Sequence, residues 1–188
     1  MTDETPSFPT PHTPHPHLTA ISLVGFMGAG KTTVGRALAA RLGWAFVDLD
    51  DLVQARDGRT IPEIFQNSGE KAFRELEQQV LRELVSSSRV KTSVLSLGGG
   101  AFIDNTNQQL LRENGIPAVF LDASAEELFR RCQQPGVDRP LLSDRNGFSA
   151  LYERRRPAYA NAALCIQTAG REIASIVDEI VTRLGLGP

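Results

Sequence analysis

The sequence predicts a three-layer α/β domain, in which a parallel β-sheet is covered by helices on both faces. From residue 18 onward, short apolar runs alternate with amphipathic stretches of helical length. A repeat of strand, helix and strand pairs its strands in parallel through right-handed crossovers, and helices then cover both faces of the sheet. In addition, a glycine-rich phosphate-binding pattern joins the first apolar run to the first helix. The length of 188 residues, 41% of them hydrophobic, suits a single domain with one sizeable core.

The individual elements follow from the spacing of apolar residues and from helix-start signals. Five apolar runs are predicted to be strands: Ile21–Val24, Ala45–Val47, Val94–Leu97, Ala118–Leu121 and Leu164–Ile166. Helices are predicted at Lys31–Leu42 and Glu172–Leu184. A Glu three residues after Thr60 and another three residues after Ser124 give the capping-box spacing, which predicts two further helix starts.

Two segments are expected to lie outside the regular core. Residues 1–17 hold five prolines among small polar residues and are predicted to be a disordered arm, with the folded domain at 18–188. The arm carries every histidine of the chain, so the folded part has no histidine base; the H-x-x-H-x-H pattern is interpreted either as a metal site or as a solvated tail. Residues 133–147 are polar and rich in Pro and Gly, which predicts an exposed, mobile lid.

Composition excludes several classes of function. A formal charge of −2 leaves no general cationic surface for nucleic acid or anionic lipid. Cys132 and Cys165 form neither a disulfide framework nor a C-x-x-C pattern, which fits a reducing compartment. The sequence shows no secretory or transit signal and no long apolar run, so we expect a cytoplasmic protein.

The segment from Gly25 to Thr32 matches G-x-x-x-x-G-K-T directly between the first strand and the first helix. Glycines let the backbone wrap around phosphate oxygens, the helix N-terminus supplies positive potential, Lys31 reaches the β and γ phosphates, and Thr32 offers a hydroxyl to Mg²⁺. The residues expected to bind the phosphates of a nucleoside triphosphate are Gly28, Ala29, Gly30, Lys31, Thr32 and Thr33. No N-K-x-D motif for reading guanine is present, which argues against a GTPase switch.

Asp48 and Asp50 follow the second predicted strand. Two residues apart on an extended strand end, their carboxylates would project to the same side and suit a metal and a nucleophile. The spacing is equally compatible with Asp50 as a helix N-cap. The third strand ends without an acidic residue, and Asp122 at the end of the fourth is an alternative metal ligand.

Several motifs in order resemble shikimate kinase from about Leu18 to the C-terminus. They are G-F-M-G-A-G-K-T-T-V-G-R, D-L-D, E-K-A-F-R-E-L-E, S-L-G-G-G, R-P-L-L and R-R-R-P-A-Y. The resemblance implies ATP-dependent phosphorylation of the 3-hydroxyl of shikimate in the pathway to aromatic amino acids. It also implies a P-loop NTPase fold like that of nucleoside-monophosphate kinases, with a five-stranded parallel sheet, and a monomer that acts on small molecules.

The resemblance further implies a role for each matching residue. Asp50 would orient or deprotonate the attacking hydroxyl, Asp48 would hold Mg²⁺ through water together with Thr32, and Arg139 in the lid would reach the transferring phosphoryl group. Arg131 would lie against adenine. The residues assigned to shikimate are Asp50, Arg74, Gly98, Gly99, Gly100 and Arg156, with Arg74 and Arg156 as a paired clamp on its carboxylate.

Ordinary structural interpretations stay open beside these roles. Arg74 has a Glu four residues before it and another three residues after it, which alone indicates an exposed ion-pair ladder. Arg154 and Arg155 are taken to complement the negative end of a helix. The triple glycine is also a tight turn, Arg139 a solvated arginine, and Phe65 and Phe73, which match aromatics near the substrate ring, would at helical spacing be core residues.

Two other functions compete with a shikimate kinase. One is a kinase of the same fold for another hydroxylated acid such as gluconate, which would need a different clamp. The other is a nucleotide-sensing module without turnover, against which the presence of Lys31, Asp50 and Arg139 argues.

Overall fold

The computed structural model describes residues 18–87, 90–133 and 145–186. The strands in these ranges are β1 (Ala20–Val24), β2 (Ala45–Asp48), β3 (Ser93–Ser96), β4 (Ala118–Asp122) and β5 (Leu164–Gln167). The helices are α1 (Lys31–Leu42), α2 (Leu49–Asp57), α3 (Ile61–Ser86), α4 (Asn105–Glu113), α5 (Ala125–Cys132), α6 (Arg145–Tyr159) and α7 (Ile173–Arg183). A 3₁₀ turn, Ala101–Ile103, precedes α4.

The five strands form one sheet in the order β2-β3-β1-β4-β5, and all neighbours are parallel. This confirms the α/β class and the five-stranded parallel sheet, and each predicted strand agrees with the observed one to within a residue at either end. From β1 the chain moves to one side of the sheet for β2 and β3, then to the other side for β4 and β5. In open parallel sheets such a reversal creates a crevice at the carboxyl ends of the strands.

The central strands are fully buried, and this fixes the loops that leave their carboxyl ends. Every residue of β1 and of β4 is buried. Ile21, Leu23 and Leu38 are completely enclosed in the core between the sheet and α1, and burying a side chain of that size contributes roughly 1.5 to 3 kcal/mol. The loop between β1 and α1 therefore starts and ends on rigid elements.

Local capping explains where two helices begin. Thr60 and Glu63 form the predicted capping box: the Glu63 N–H donates to the Thr60 hydroxyl at 3.4 Å, and the Thr60 N–H donates to the Glu63 carboxylate at 2.7 Å. At α5, the Ser124 hydroxyl accepts from the Glu127 N–H at 3.3 Å. The Glu127 carboxylate pairs instead with two arginines of its own helix, so only half of the second predicted box forms.

Two predicted segments lie wholly or largely outside the described residues. They are the arm at 1–17 and residues 134–144 of the expected lid, which include Arg139. The ends of the expected lid are described: Gln133 is the C-cap of α5, and residues 145–147 form the start of α6. Across the three described ranges, no helix combines the length and the apolar character that a membrane crossing requires.

Candidate active site

The phosphate-binding loop packs directly against α5. Gly28 has a φ of 82°, and a side-chain carbon there would meet the Leu128 carbonyl oxygen at 2.6 Å, so only glycine fits. The Lys31 ammonium donates to the Gly25 and Phe26 carbonyls at 2.9 and 3.2 Å. These bonds fold the Lys31 side chain back over the loop, where its charge faces an anion that the loop would enclose.

The N-terminus of α1 is arranged to receive negative charge. Gly30 is its N-cap, in the left-handed region at φ 89°, and among the described residues no side chain caps the helix. The first turn carries no acidic residue. The first N–H groups of α1 and the positive end of its dipole are therefore directed at the crevice and suit phosphate oxygens.

Oxygen ligands for a divalent cation lie beside this loop. The Thr32 hydroxyl donates to Asp48 Oδ2 at 3.3 Å, and Asp48 Oδ1 accepts from the Asp50 N–H at 3.1 Å. In the described part of the chain no group of three or more His, Cys, Asp or Glu side chains could hold a metal by itself. Mg²⁺ is usually held by one or two protein ligands together with phosphates and water, so Thr32 and Asp48 fit it.

Asp48 is the N-cap of α2, whereas Asp50 lies in the first turn of that helix. The interpretation of Asp50 as an N-cap is therefore wrong, and so is its placement on an extended strand end. Burial raises the pKa of Asp50, the neighbouring Asp48 carboxylate raises it further, and Lys31 and Arg74 oppose the shift. The result is a carboxylate of increased basicity, suited to accept a hydrogen bond or a proton.

At the other end of the crevice, Arg74 lies in an ion-pair ladder and against the triple glycine at once. Its guanidinium donates to Glu77 at 2.7 Å and to Glu70 at 3.5 Å, as helical spacing indicates. A methyl group added at Gly100 would overlap this guanidinium. The ion-pair ladder and a role in the site are therefore compatible for Arg74, because the ion pairs hold its guanidinium against the glycine loop, where it lines the crevice.

Glu77 is a site residue that the sequence analysis missed. Its side chain is 1% exposed, and its Oε1 has no hydrogen-bond partner in the described structure. A side-chain carbon at Gly98 would meet Glu77 Oε1 at 2.9 Å and Asp50 Oδ1 at 2.6 Å, so both carboxylates border the same small space. Burial raises the pKa of Glu77, against the lowering effect of Arg74. In the sequence, the feature that indicates Glu77 as a site residue is its position three residues, or about one helical turn, after Arg74.

The structure does not bring Arg156 into the crevice. Arg156 donates to Asp122 at 3.0 Å and to the Tyr152 hydroxyl at 3.1 Å, and neither Arg156 nor Asp122 lines the crevice. Arg155 lines it instead, 5.9 Å over the ring of Phe26 and with a 3.5 Å bond to the Gly99 carbonyl. The clamp assigned to Arg74 and Arg156 is therefore wrong in its second member. Consecutive residues of a helix point in directions about 100° apart, so Arg155 faces the crevice while Arg156 faces Asp122.

Asp122, the alternative metal ligand, is also placed elsewhere. It is buried and accepts hydrogen bonds from Tyr152, Arg156 and Gln167. Its carboxylate is thus engaged by donors away from Thr32 and Asp48, and Asp48 is the better candidate.

A basic end of the crevice is formed around Arg131. Arg131 donates to Glu127 at 2.8 Å and to the hydroxyl and carbonyl of Thr168 at 3.1 and 2.9 Å, which holds its guanidinium plane still. Ile173, an exposed apolar residue at the start of α7, lines the same end. A fixed guanidinium plane and an exposed aliphatic side chain suit a flat aromatic ring.

A single crevice of about 1280 Å³ joins these groups. Of the residues predicted for ATP, substrate or metal, those that line it are Gly28, Ala29, Gly30, Lys31, Thr32, Thr33, Asp48, Asp50, Phe65, Phe73, Arg74, Gly98, Gly99, Gly100 and Arg131. Phe73 is buried and also reaches the crevice, with its ring 4.7 Å from that of Phe65. One volume therefore contains both a phosphate-binding end and an arginine-lined end. The arginine-lined end is the part formed by Arg74, Arg155 and the triple glycine.

Comparison with known proteins agrees with this arrangement. A sequence model of the family described as shikimate kinase matches residues 27–185. A shikimate kinase of Thermus thermophilus is 42% identical over 169 residues, which are 88% of this chain and 90% of that protein. The structure of a shikimate kinase from Acinetobacter baumannii in complex with shikimate is 37% identical, with a TM-score of 0.79 over 88% of this chain and 92% of that one.

A more distant structural likeness concerns the fold alone. The crystal structure of a gluconokinase from Sinorhizobium meliloti has a TM-score of 0.57 at 20% identity, over 89% of this chain and 92% of that one.

Proposed function

The chain belongs to the shikimate kinase family, and from that premise we propose that it transfers the terminal phosphoryl group of ATP to the 3-hydroxyl of shikimate. The product, shikimate 3-phosphate, lies on the route to aromatic amino acids. The observation that carries the proposal is the single crevice, in which the Asp50 carboxylate is close enough to interact electrostatically with both Lys31 of the phosphate loop and Arg74. The following roles of individual residues are part of the same proposal.

The phosphate loop binds and orients the ATP tail. Lys31 neutralises charge on the β and γ phosphates, while the N–H groups of Gly28, Gly30, Thr32 and Thr33 enclose the phosphate oxygens. The Ala29 N–H donates to the Phe26 carbonyl at 3.2 Å and so shapes the loop. Thr32 and Asp48 would hold Mg²⁺, which when bound supplies positive charge to the phosphates. These groups need no rearrangement at the moment of reaction, which is the source of their effect on the transition state.

Asp50 orients the attacking hydroxyl. In the reaction, the 3-oxygen of shikimate forms a bond to the γ phosphorus, the bond from that phosphorus to the bridging oxygen of ADP breaks, and the hydroxyl proton passes to the Asp50 carboxylate. The basicity that burial gives to Asp50 supports this role, because an acceptor with a raised pKa takes a proton more readily. Orientation contributes most when the hydroxyl is held in line with the phosphorus.

Arg74 and Arg155 hold the carboxylate of shikimate. Both line the crevice, Arg74 against Gly100 and Arg155 beside Gly99. A planar guanidinium can hold a carboxylate with two parallel hydrogen bonds, so the pair fixes which hydroxyl of the ring faces ATP. The glycines let the substrate ring approach the backbone closely.

The remaining roles are also proposals. Arg131 and Ile173 would enclose adenine between a guanidinium plane and an aliphatic side chain. Arg139, outside the described residues, would approach the transferring phosphoryl group as negative charge spreads in the transition state. Because one chain lines the whole crevice, the site needs no second copy, and we propose a monomer working in the cytoplasm.

The competing substrate is another hydroxylated acid such as gluconate. Its kinase would share the fold, and because both acids carry a carboxylate, turnover of the two substrates has to be compared directly. A nucleotide-binding module without turnover would have no use for Asp50 between the two ends.

The test is ADP release by the purified full chain with Mg-ATP and a panel of hydroxy acids. We expect release that depends on shikimate and a product phosphorylated at the 3-oxygen, as identified by phosphorus NMR. Equal turnover of gluconate would contradict the proposed specificity, and nucleotide binding without ADP release from any acid would favour the binding module.

A further inference from the structure

We propose that Arg156, although its side chain lies outside the crevice, is a positioning residue that fixes the rotation of α6 and thereby directs Arg155 at the substrate. Its anchor is the buried carboxylate of Asp122 at the carboxyl end of β4. The inference rests on the proposed function, because it concerns one arm of the carboxylate clamp.

Asp122 joins three elements of the fold. Its side chain is 3% exposed, and it accepts from Tyr152 of α6 at 2.6 Å, from Arg156 of α6 at 3.0 Å and from Gln167 of β5 at 3.1 Å. A buried carboxylate is costly unless it is paired and fully hydrogen-bonded. Of these donors, Arg156 is the one with a positive charge, so the carboxylate holds this side of α6 against the sheet.

The last turns of α6 lack a backbone hydrogen bond, so side-chain bonds to the rest of the fold matter more there. Pro157 lies inside the helix and has no N–H to donate to the preceding turn. On the Asp122 side, Arg156 donates both to Asp122 and to the Tyr152 hydroxyl, four residues earlier. These two bonds tie successive turns of the helix to each other and to β4, which supplies a constraint that the backbone lacks at the proline.

Arg155 is held less firmly by groups outside α6. Its bond to the Gly99 carbonyl is 3.5 Å long, at the limit for a hydrogen bond, and it lies 5.9 Å from the centre of the Phe26 ring. Its hydrogen bond with the Tyr159 hydroxyl is made within α6 itself, so it does not fix the rotation of the helix. Adjacent helical residues differ by about 100° in direction, so any rotation of α6 about its axis moves both arginines together. The orientation of Arg155 therefore depends on the firmer bonds of Arg156.

The deciding experiment is a double-mutant cycle on the KM for shikimate. We expect Arg156→Gln to raise this KM about tenfold in the otherwise unchanged chain and to leave the KM for ATP within about twofold. In the Arg155→Ala background the same substitution should change the KM for shikimate by less than about twofold, because the residue through which Arg156 acts is gone.

Two further variants separate positioning from plain destabilisation. Arg156→Lys keeps a positive charge near Asp122 but loses the planar guanidinium that reaches Asp122 and Tyr152 together. Its KM for shikimate should therefore lie between that of the unchanged chain and that of Arg156→Gln. Arg183→Gln is the matched control: Arg183 is 38% exposed, against 39% for Arg156, and it too pairs with a carboxylate. It should leave both KM values unchanged, and all assays are run below the unfolding midpoint of each variant.

Equal effects of Arg156→Gln with and without Arg155 would overturn the inference, since they would mean that Arg156 touches substrate or acts by another route. Parallel increases in the KM for ATP and for shikimate would also overturn it, in favour of a general structural role. Should Arg156→Gln not fold, Tyr152→Phe removes the two bonds of the same anchor that the Tyr152 hydroxyl makes with Asp122 and Arg156, and it is tested in the same cycle. An unchanged chain without shikimate-dependent ADP release would instead contradict the proposed function.

Discussion

The two ends of the crevice are built in different ways. The phosphate end is a continuous segment, residues 25–33, whose shape is set by its own glycines and by the start of α1. The arginine-lined end is assembled from α3, the glycine loop after β3, and α6, and its two arginines, Arg74 and Arg155, are 81 residues apart in the sequence. A contiguous motif determines its own geometry, whereas an assembled site depends on how each helix is rotated against its neighbours.

This difference implies different responses to substitution. At the phosphate end a change should affect the chemical step, because the groups there meet charge that develops in the transition state. At the arginine-lined end a change should mainly affect the binding of the acid, because a carboxylate carries the same charge before and during the reaction. The predictions below test this contrast, beginning with the largest effect.

Lys31→Met should produce the greatest loss. We expect kcat to fall about 1,000-fold, as found when a preorganised charge is removed from a transition state. The KM for shikimate should change little, which would mark Lys31 as a residue of the chemical step. Steady-state ADP release measures both constants, and a large rise in the KM for shikimate with normal kcat would break the contrast between the two ends.

Asp50→Asn should lower kcat about 100-fold while the protein stays folded. The amide keeps the shape of the side chain but cannot accept a proton, and it is a poorer acceptor for the substrate hydroxyl. Single-turnover kinetics at saturating ATP and shikimate isolate this step. Retention of the full rate would mean that Asp50 neither orients nor deprotonates the hydroxyl.

Arg74→Lys and Arg155→Lys should each raise the KM for shikimate about tenfold with a smaller change in kcat. Lysine keeps the charge but cannot form two parallel bonds to one carboxylate. The kinetic constants of the two variants are compared at fixed, saturating ATP. A loss of kcat as large as that of Lys31→Met would contradict the assignment of this end to binding.

Gly100→Ala should weaken shikimate binding more than Gly99→Ala does. The added methyl at Gly100 would overlap the Arg74 guanidinium, whereas at Gly99 it would meet no described atom closer than 3.7 Å. We expect a several-fold difference between the two KM values for shikimate, of the order of 1 kcal/mol. Equal constants for the two variants would show that Arg74 does not need its place beside Gly100.

Glu77→Gln should change how stability depends on pH. Burial raises the pKa of Glu77 above its ordinary value of 4.5, so the folded chain holds this proton more tightly than the unfolded chain. The stabilisation from Glu77 is therefore present at pH below 4.5 and is lost as pH rises through the folded pKa. Relative to Glu77→Gln, the unchanged chain should lose stability as pH rises toward neutrality; denaturant titrations with parallel pH profiles would refute this.

Much of the fold could be predicted because its signals are local. All five strands and the span Lys31–Leu42 follow from apolar periodicity and from the position of the glycine-rich motif. The phosphate loop was assigned for the same reason. The second capping box failed in part because Glu127 had stronger partners available in Arg130 and Arg131.

The arginine-lined end could be predicted only in part. The motif predicts that Arg74 belongs to this end, and Arg74 does line the crevice. Choosing between Arg155 and Arg156 requires the rotation of α6, which three consecutive arginines do not reveal. The sequence cannot show that Arg156 forms an ion pair with Asp122, which lies 34 residues earlier. Likewise, the sequence indicates Glu77 only as a partner in an ion-pair ladder, whereas its burial depends on how α3 packs in the fold.

The most direct test of the account compares shikimate with its methyl ester. The ester keeps the ring and the 3-hydroxyl but lacks the negative charge that Arg74 and Arg155 are proposed to hold. With the unchanged chain, we expect kcat/KM for the ester to be at least about 100-fold below that for shikimate, and we expect most of this preference to vanish in the variant Arg74→Ala/Arg155→Ala. An unchanged chain that phosphorylated acid and ester equally well would contradict the central claim that the acid group is what this end of the crevice recognises.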